Sequence, residues 1–338
     1  MSESVLRVEN FSVDYGVGER AVRAVTDVTF SLGRSEVLGI AGESGSGKST
    51  LVYGLTRLLR APGVIRSGKA ILRVGEDSAR RDIDLLEASE RDLRSLRWRH
   101  VSVVLQSALS ALDPVRRIGK EFDEVLRYHG QGKSRAERRS RAEELVTMVG
   151  LKTDRLDRFP HELSGGQRQR VMIALALALN PDLVIMDEPT TALDVVTQRE
   201  IIDELRELRE RLGFAMIFIT HDLSLLVELA DQIMVMYAGR VVERADSADL
   251  YSIPRHPYTV GLMNSFPPLT GEIVPMTGIP GSPPSLSALP RGCAFAPRCP
   301  LASDRCLNET PPLLVEESRS LACFNSSSSV RERLVISS

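Results

Sequence analysis

"EVLGIAGESGSGKSTLVYGLTRLL", residues 36–59, is the stretch from which the rest of the chain can be read. Its first seven residues are an apolar, β-prone run of buried-strand type. The run then breaks into Gly42-Glu43-Ser44-Gly45-Ser46-Gly47-Lys48-Ser49, which fits G-x-x-x-x-G-K-[ST], and Thr50 continues into an amphipathic helix. In such a loop the glycines let backbone N–H groups turn inward around phosphate oxygens, and the following helix N-terminus adds positive potential. Lys48 is placed to reach the β- and γ-phosphates and Ser49 to ligate Mg²⁺. A Gly/Ser-rich turn that matched by chance would not be bracketed by strand and helix in this order. Residues 42–50 are the expected binding site of a nucleoside triphosphate.

Working outward, "VSVVLQ" (101–106), "LVIMDE" (183–188) and "AMIFIT" (215–220) are further buried-strand runs, separated by longer amphipathic stretches. The alternation predicts a largely parallel sheet with crossover helices. "REIIDELRELRERL" (199–212) repeats apolar residues at helical spacing opposite a charged face, and "SRAERRSRAEELVTMVG" (134–150) is a second helix ended by Gly150. Near Pro254 the composition changes. From there to about Pro312 prolines and glycines are frequent, and the only periodic segment is a short helix in "PYTVGLMNSF" (257–266), with Pro257 near its first position. The "HPYT" start of that helix carries no chemistry in itself. No internal repeat is evident.

The 338 residues carry 43 basic and 45 acidic side chains, so the net charge of −2 gives no global field toward nucleic acid or an anionic membrane. The N-terminus lacks signal-peptide character, and the longest apolar run, "VMIALALAL" (171–179), is about half a membrane span. A soluble, cytoplasmic chain is expected.

Further stretches carry chemistry. The strand 183–188 ends in Asp187, near the expected metal, and Glu188, beside the γ-phosphate, where a carboxylate can activate water. "LSGGQRQR" (163–170) sets Ser164, Gly165, Gly166 and Gln167 at a helix N-terminus whose amides suit an anion, followed by the buried helix "QRVMIALALAL". Gln106 after a strand, "TALD" (191–194), His221 in "THD" after another strand and Tyr15 in "VDYG" stand beside these.

These words, in this order, resemble the ATP-binding-cassette (ABC) ATPases, and the resemblance places Tyr15 like the aromatic that stacks on adenine. "PHELSGGQRQRVMIALAL", "DEPTTALDV" and the tail words "RHPYTVGLMNSFP", "IPGSPPSL" and "GCAFAPRCP" are similar to the oligopeptide/dipeptide/nickel branch of ABC importers, over nearly the whole chain. After Gln106 the wording "SALSALDP" is closer to the oligosaccharide importers of the same branch. The resemblance implies an α/β fold: an ABC-type P-loop ATPase cassette over residues 1–253 with a helical signature subdomain at about 107–180. A small irregular C-terminal extension would occupy 254–325 and a loose tail 326–338.

It further implies that two cassettes pair head to tail. Lys48, Ser49, Gln106, Asp187, Glu188 and His221 would then act on the ATP held by this chain, with Ser49, Gln106 and Asp187 around Mg²⁺ and Glu188 as general base. Ser164, Gly165, Gly166 and Gln167 would serve the partner's ATP, and Asp194 would lie across the interface. The implied partners are a second ABC ATPase, two membrane permeases and an extracellular solute-binding protein, with the chain peripheral at the cytoplasmic face. The loop from Gln106 through "SALSALDPV", including Ala108 and Leu112, would receive a short permease helix. Peptides are the expected solute, oligosaccharides the alternative. A non-transport ABC ATPase is disfavoured. The separation of Gly42 from Ser164 is too short for the coiled-coil arm of chromosome and repair types, and one set of motifs does not make a two-cassette translation factor. Exporter ATPases lack this tail.

All four cysteines fall in the extension, spaced Cys293-x5-Cys299-x6-Cys306-x16-Cys323. Free thiols, disulfides, a four-thiolate zinc ion and an iron–sulfur cluster compete for them. A cytoplasmic setting disfavours disulfides, and the close Cys pairs typical of zinc are missing. Members of the resembled branch can carry a 4Fe–4S cluster on such cysteines, which would help fold a segment poor in apolar residues. The phosphate loop sits on a sheet that does not need the tail, so ATP binding is expected to be independent of it.

Overall fold

The computed structural model describes residues 4–75, 80–105, 111–191, 193–265, 278–316, 319–325, 330 and 334. The chain opens with a long hairpin, β1 (Ser4–Tyr15) and β2 (Val22–Gly33), before β3 (Val37–Ala41) enters a different sheet. Helix α1 (Lys48–Leu55) follows the phosphate loop, and β4 (Gly63–Val74) and β5 (Arg81–Asp84) return to the first sheet, whose order is β2-β1-β4-β5, all antiparallel. After α2 (Glu90–Leu96) and β6 (Val101–Val104), the helices α3 (Ile118–Tyr128), α4 (Arg135–Met148) and α5 (Gly165–Ala176) pack on one another. Then β7 (Leu183–Asp187), α6 (Val195–Leu212), β8 (Ala215–Ile219), α7 (Leu223–Leu229) and β9 (Gln232–Tyr237) alternate, and β10 (Arg240–Asp246) turns back on β9. The remainder holds α8 (Ser247–Ser252), α9 (Pro257–Met263), α10 (Asp304–Asn308), β11 (Leu314–Glu316) and β12 (Arg319–Leu321).

The second sheet runs β11-β12-β10-β9-β3-β8-β7-β6, parallel from β9 through β6. Its inner strands read as unbroken apolar runs because both faces are covered. Met216 and Phe218 of β8 face the helical core with α5 and α6, while Ala215, Ile217 and Ile219 face a second core under the antiparallel sheet. Strand β7 divides in the same way, Val184 and Met186 against Leu183 and Ile185. The crossover helices stop and start where local chemistry dictates. Ser134 Oγ accepts the Glu137 N–H to begin α4, and Asp194 Oδ1 accepts the Thr197 N–H to begin α6. Helix α6 buries Ile201, Ile202, Leu205 and Leu208 and leaves its charges outside.

The expected strands and helices are all present where described, and Pro257 is the first residue of α9. Gln106, together with Ala108, lies outside the described residues. The antiparallel sheet is an addition to the sequence reading, which foresaw only the parallel one. In β1 the two-residue alternation is lost at four register shifts, one between Ser4 and Leu6 and three after Val8, so that Val5, Leu6, Val8, Phe11 and Val13 are all buried. Leu112 was expected on a docking surface but belongs to the helical core at 5% exposure, whereas Val115 three residues on is 80% exposed. The tail also does more than loop. Strand β12 pairs antiparallel with β10, Glu243 opposite Leu321, so the chain's last strands extend the cassette's own sheet. Val330, in the stretch expected to hang loose, is fully buried beside Val260 and Leu301.

A buried ion pair fixes that junction. Glu243 has no exposure and accepts from the Arg319 guanidinium at 2.8 Å and from the Arg255 and His256 amides at 2.8 and 2.9 Å. Removing the arginine would leave an inner carboxylate without its counter-charge. Arg319→Met is expected to destabilise the chain by about 3 kcal/mol and to expose residues beyond Pro254 to limited proteolysis before the cassette unfolds. A melting temperature and cleavage pattern matching the parent protein would show that the pair contributes little.

Candidate functional site

The phosphate loop runs from Gly42 to Ser49 between β3 and α1. Two of its glycines are there because nothing else fits. Gly42 has φ +147°, and a Cβ on it would stand 2.3 Å from the Met236 carbonyl oxygen; Gly47 has φ +101°, and its Cβ would stand 2.5 Å from the Ala24 carbonyl oxygen. Gly47 is also the uncapped N-terminal flank of α1, so no side chain covers the amides that start the helix. Lys48 folds back over the loop, its Nζ donating to Gly42 O at 2.6 Å and Glu43 O at 3.0 Å. Burial lowers its pKa, opposed by the nearby carboxylates of Glu188, Asp187 and Glu43.

Asp187, at the end of β7, is fully buried, and its Oδ1 accepts from Ser49 Oγ at 3.1 Å. Its Oδ2 makes no hydrogen bond of ordinary geometry, although the Tyr53 hydroxyl lies close to the carboxyl group. Burial holds the Asp187 pKa above the usual carboxylate range, despite the hydrogen bonds that oppose it. The next residue, Glu188, adopts a left-handed φ of +48°, held by its N–H to Ile219 O at 2.9 Å. That turn aims its carboxylate across the ends of β7 and β8, where Thr191 Oγ1 donates to it at 2.9 Å and His221 Nδ1 stands 3.7 Å away. The latter distance is too long for a hydrogen bond and leaves room for adjustment around a ligand. Tyr15 ends β1 with its hydroxyl 3.3 Å from Thr50 Oγ1. The sheet ends therefore bring Tyr15, Lys48, Ser49, Thr50, Asp187, Glu188 and His221 around one loop.

The other predicted residues form a second group. Ser164 and Gln167 cap α5 reciprocally: Ser164 Oγ accepts the Gln167 N–H and Gln167 Oε1 accepts the Ser164 N–H, each at 3.2 Å. The amides of Ser164 and Gln167 are thus already engaged, which narrows the anion-binding surface expected from this stretch to the two glycines. Gly166 lies against Thr197, where a Cβ would meet Cγ2 at 2.6 Å, and Thr197 is held by both oxygens of Asp194. The signature and Asp194 therefore share one exposed corner of the helical layer.

The sequence reading missed a third contribution. Tyr258 of α9 accepts the Glu43 N–H at 2.8 Å, and Arg298 donates to both Glu43 carboxylate oxygens, Nη1 to Oε2 at 2.6 Å and Nη2 to Oε1 at 3.0 Å. The tail expected to be independent of the phosphate loop is hydrogen-bonded to it. The signals lay in "HPYT" and "APRCP", but neither shows a long-range partner in one sequence. The four cysteines are free thiols that line one small enclosed cavity with His256, Phe295 and Phe324. Burial raises the thiols of Cys293 and Cys323, and that of Cys299 to about 11. Among the described residues no group of three or more His, Cys, Asp or Glu is arranged to hold a metal ion, so neither the zinc site nor the cluster weighed for these cysteines is seen preformed.

Residues 25–191 match the ABC transporter family, and residues 242–306 match the C-terminal region of oligopeptide/dipeptide transporters. The chain is 41% identical to the oligopeptide transport ATP-binding protein OppD of Salmonella typhimurium, covering 95% of this chain and 93% of that one. It is 41% identical to AppD of Bacillus subtilis (95% and 96% covered) and 40% identical to the dipeptide transport ATP-binding protein DppD of Escherichia coli (95% and 96%). In structure it is similar to the ATP-binding cassette MJ0796 in a dimeric post-hydrolysis state with ADP and Pi, at a TM-score of 0.62 and 29% identity over 72% of this chain and 98% of that one. The chain belongs to the ATP-binding proteins of the oligopeptide/dipeptide ABC transporters, and it is an ATPase.

Burial raises the Asp187 pKa, so its ionised form works against the folded state. Asp187→Asn is expected to raise the nucleotide-free melting temperature by roughly 1–3 °C at neutral pH. The gain should shrink as pH falls through the raised pKa, because the native aspartate is then protonated as well. Melting curves from pH 4.5 to 8 check this; a loss of stability at neutral pH would mean that Asp187 is already adequately compensated.

Proposed function

We propose that this chain powers peptide uptake as one of the ATPase subunits of a multi-subunit importer, seated peripherally on the cytoplasmic side of two permeases that receive solute from an extracellular binding protein. The observation that carries the reading is the combination of cassette and tail: the relatives are named for oligopeptide and dipeptide transport, and the likeness extends through their C-terminal region. That favours peptides over oligosaccharides as solute. The division at about residue 253 into cassette and extension belongs to the same reading, with the hairpin β11–β12 returning from the extension to the cassette sheet.

In this reading ATP lies along the phosphate loop with adenine on Tyr15. Lys48 swings from the carbonyls of Gly42 and Glu43 to the β- and γ-phosphates, a short step because the amine is held at the loop already. Ser49 and Asp187 hold Mg²⁺, as their mutual hydrogen bond and the buried aspartate oxygen allow, and Gln106 completes the set. Glu188 takes the proton of the attacking water, and His221 holds the γ-phosphate in line. The exposed corner formed by Ser164, Gly165, Gly166, Gln167 and Asp194 faces the ATP of a second cassette, so hydrolysis follows dimer closure and its products reopen the pair. Glu188→Gln should bind ATP normally, lose about 10²-fold or more in turnover and accumulate closed dimers. Near-parental turnover in the assembled transporter would remove Glu188 as the base. Peptide-loaded binding protein should stimulate ATPase activity in proteoliposomes; stimulation only by oligosaccharide-loaded protein would overturn the solute.

Cys293, Cys299, Cys306 and Cys323 are the residues that would hold a 4Fe–4S cluster: the four free thiols line one cavity, and cysteine thiolates are the ligands such a cluster takes. Bound there, it would cross-link the extension and supply folding energy that few apolar residues provide. Anaerobically prepared protein should be brown and contain about four irons per chain. Zinc without iron, or no metal, would refute the cluster.

A further inference from the structure

Glu43 is an unexpected residue to find where it is. It stands one position past Gly42 in a loop whose task is to hold a polyanion, and its negative field reaches the Lys48 amine. Left alone, that carboxylate would repel the triphosphate and compete with it for the lysine. It is not left alone. Arg298 grips it with a two-pronged contact, and the arginine side chain is 6% exposed. The other donors of that guanidinium go to Pro280 O at 2.8 Å, to the Tyr237 hydroxyl at 3.3 Å, and to Ile279 O and Gly281 O at 3.4 Å each. The planar group is therefore locked in one orientation, which a lysine could not reproduce. Tyr258, packed on Tyr237 and Phe295, fixes the backbone of the same residue through the Glu43 N–H. Every one of these anchors except Tyr237 belongs to the chain beyond Pro254.

We infer that Arg298, seconded by Tyr258, is a positioning residue of the ATP site: it neutralises Glu43 and fixes the start of the phosphate loop, so that the C-terminal extension sets the affinity of the cassette for ATP. The alternative, that Arg298 merely ties down the tail, makes a different forecast when Glu43 loses its charge. If repulsion is what Arg298 suppresses, removing the repelling charge repairs the loss of the arginine. If Arg298 is only a strut, removing Glu43's charge repairs nothing.

The test is a cycle on the full-length chain, with affinity for a fluorescent ATP analogue measured in Mg²⁺. Arg298→Gln should weaken binding about tenfold or more in the parent chain, whereas the same substitution made in a Glu43→Gln background should cost several-fold less, whatever Glu43→Gln does by itself. Arg298→Lys, which keeps the charge without the fork, should fall between parent and Arg298→Gln and likewise cost less in the Glu43→Gln background; it carries the test if the glutamine variant does not fold. Tyr258→Phe, which keeps the ring packing and deletes only the acceptor, should weaken binding a few-fold with little change in melting temperature. Parental affinity in a folded Arg298 variant, or a loss as large in the Glu43→Gln background as in the parent chain, would overturn the inference.

Discussion

Everything at this site depends on a loop that has no room to be anything else. The phosphate loop passes between the two sheets at a point where backbone presses on it from both sides. The Met236 carbonyl at the end of β9 closes on Gly42, and the Ala24 carbonyl in β2 closes on Gly47. Gly239 then stitches the layers, donating to Ser46 O at 3.0 Å and accepting from the Thr26 N–H at 2.8 Å. A side chain at either glycine would push the sheets apart, so the loop's curvature is set by the packing of the whole molecule. This is why a short motif can be so demanding about its surroundings: it works only where a buried strand, a helix N-terminus and a second layer meet.

Within that frame the charges stand in an incomplete balance. Lys48 is satisfied by two loop carbonyls, a place that phosphate oxygens would take over, while Asp187 and Glu188 face one cation from the other side. Burial works against the charge of both Lys48 and Asp187. Groups buried in this way are stabilised by whatever brings an opposite charge to them. The left-handed turn at Glu188 belongs to the same economy. It is a conformation that most side chains avoid, held here by one hydrogen bond to β8, and it turns the carboxylate toward the loop and away from the sheet.

Residues that act through local geometry were legible in the sequence. The strand runs at 36–42, 183–188 and 215–220 are continuous because both faces are buried, and the chemistry at their ends follows from where a parallel sheet stops. The helix end at Gly150 is a single-residue signal and holds as such: α4 stops at Met148, with Gly150 at φ +68° just beyond it. What could not be read was long-range and irregular. The bulged β1 hides its alternation, since both parities are buried, and the antiparallel layer was missed with it. Leu112 looked like part of a loop surface because nothing nearby marks it as core. Arg298 lies 255 positions from Glu43 in the chain, and an arginine before a cysteine gives no sign of which carboxylate it will find.

The tail explains itself best when its two halves are taken together. Its last strand completes the cassette's sheet through β10, anchored by Glu243 and Arg319, and the middle of the tail returns to the phosphate loop through Arg298. Between these anchors the proline-rich path is held by small apolar contacts, Tyr258 and Phe295 against the main core and Leu301 with Val260 and Val330 in a cluster of their own. Cys293 O accepts the Ala296 N–H and Ala296 O accepts the Cys299 N–H, so the single turn that presents Arg298 is bounded by two thiols. Whatever fixes Cys293 and Cys299 also fixes the guanidinium between them. The crowding of cysteines at the end of the chain and the neutralisation of a carboxylate near its beginning are thus parts of one structural arrangement, in which a distant segment completes a loop that the cassette alone leaves with an unbalanced negative charge.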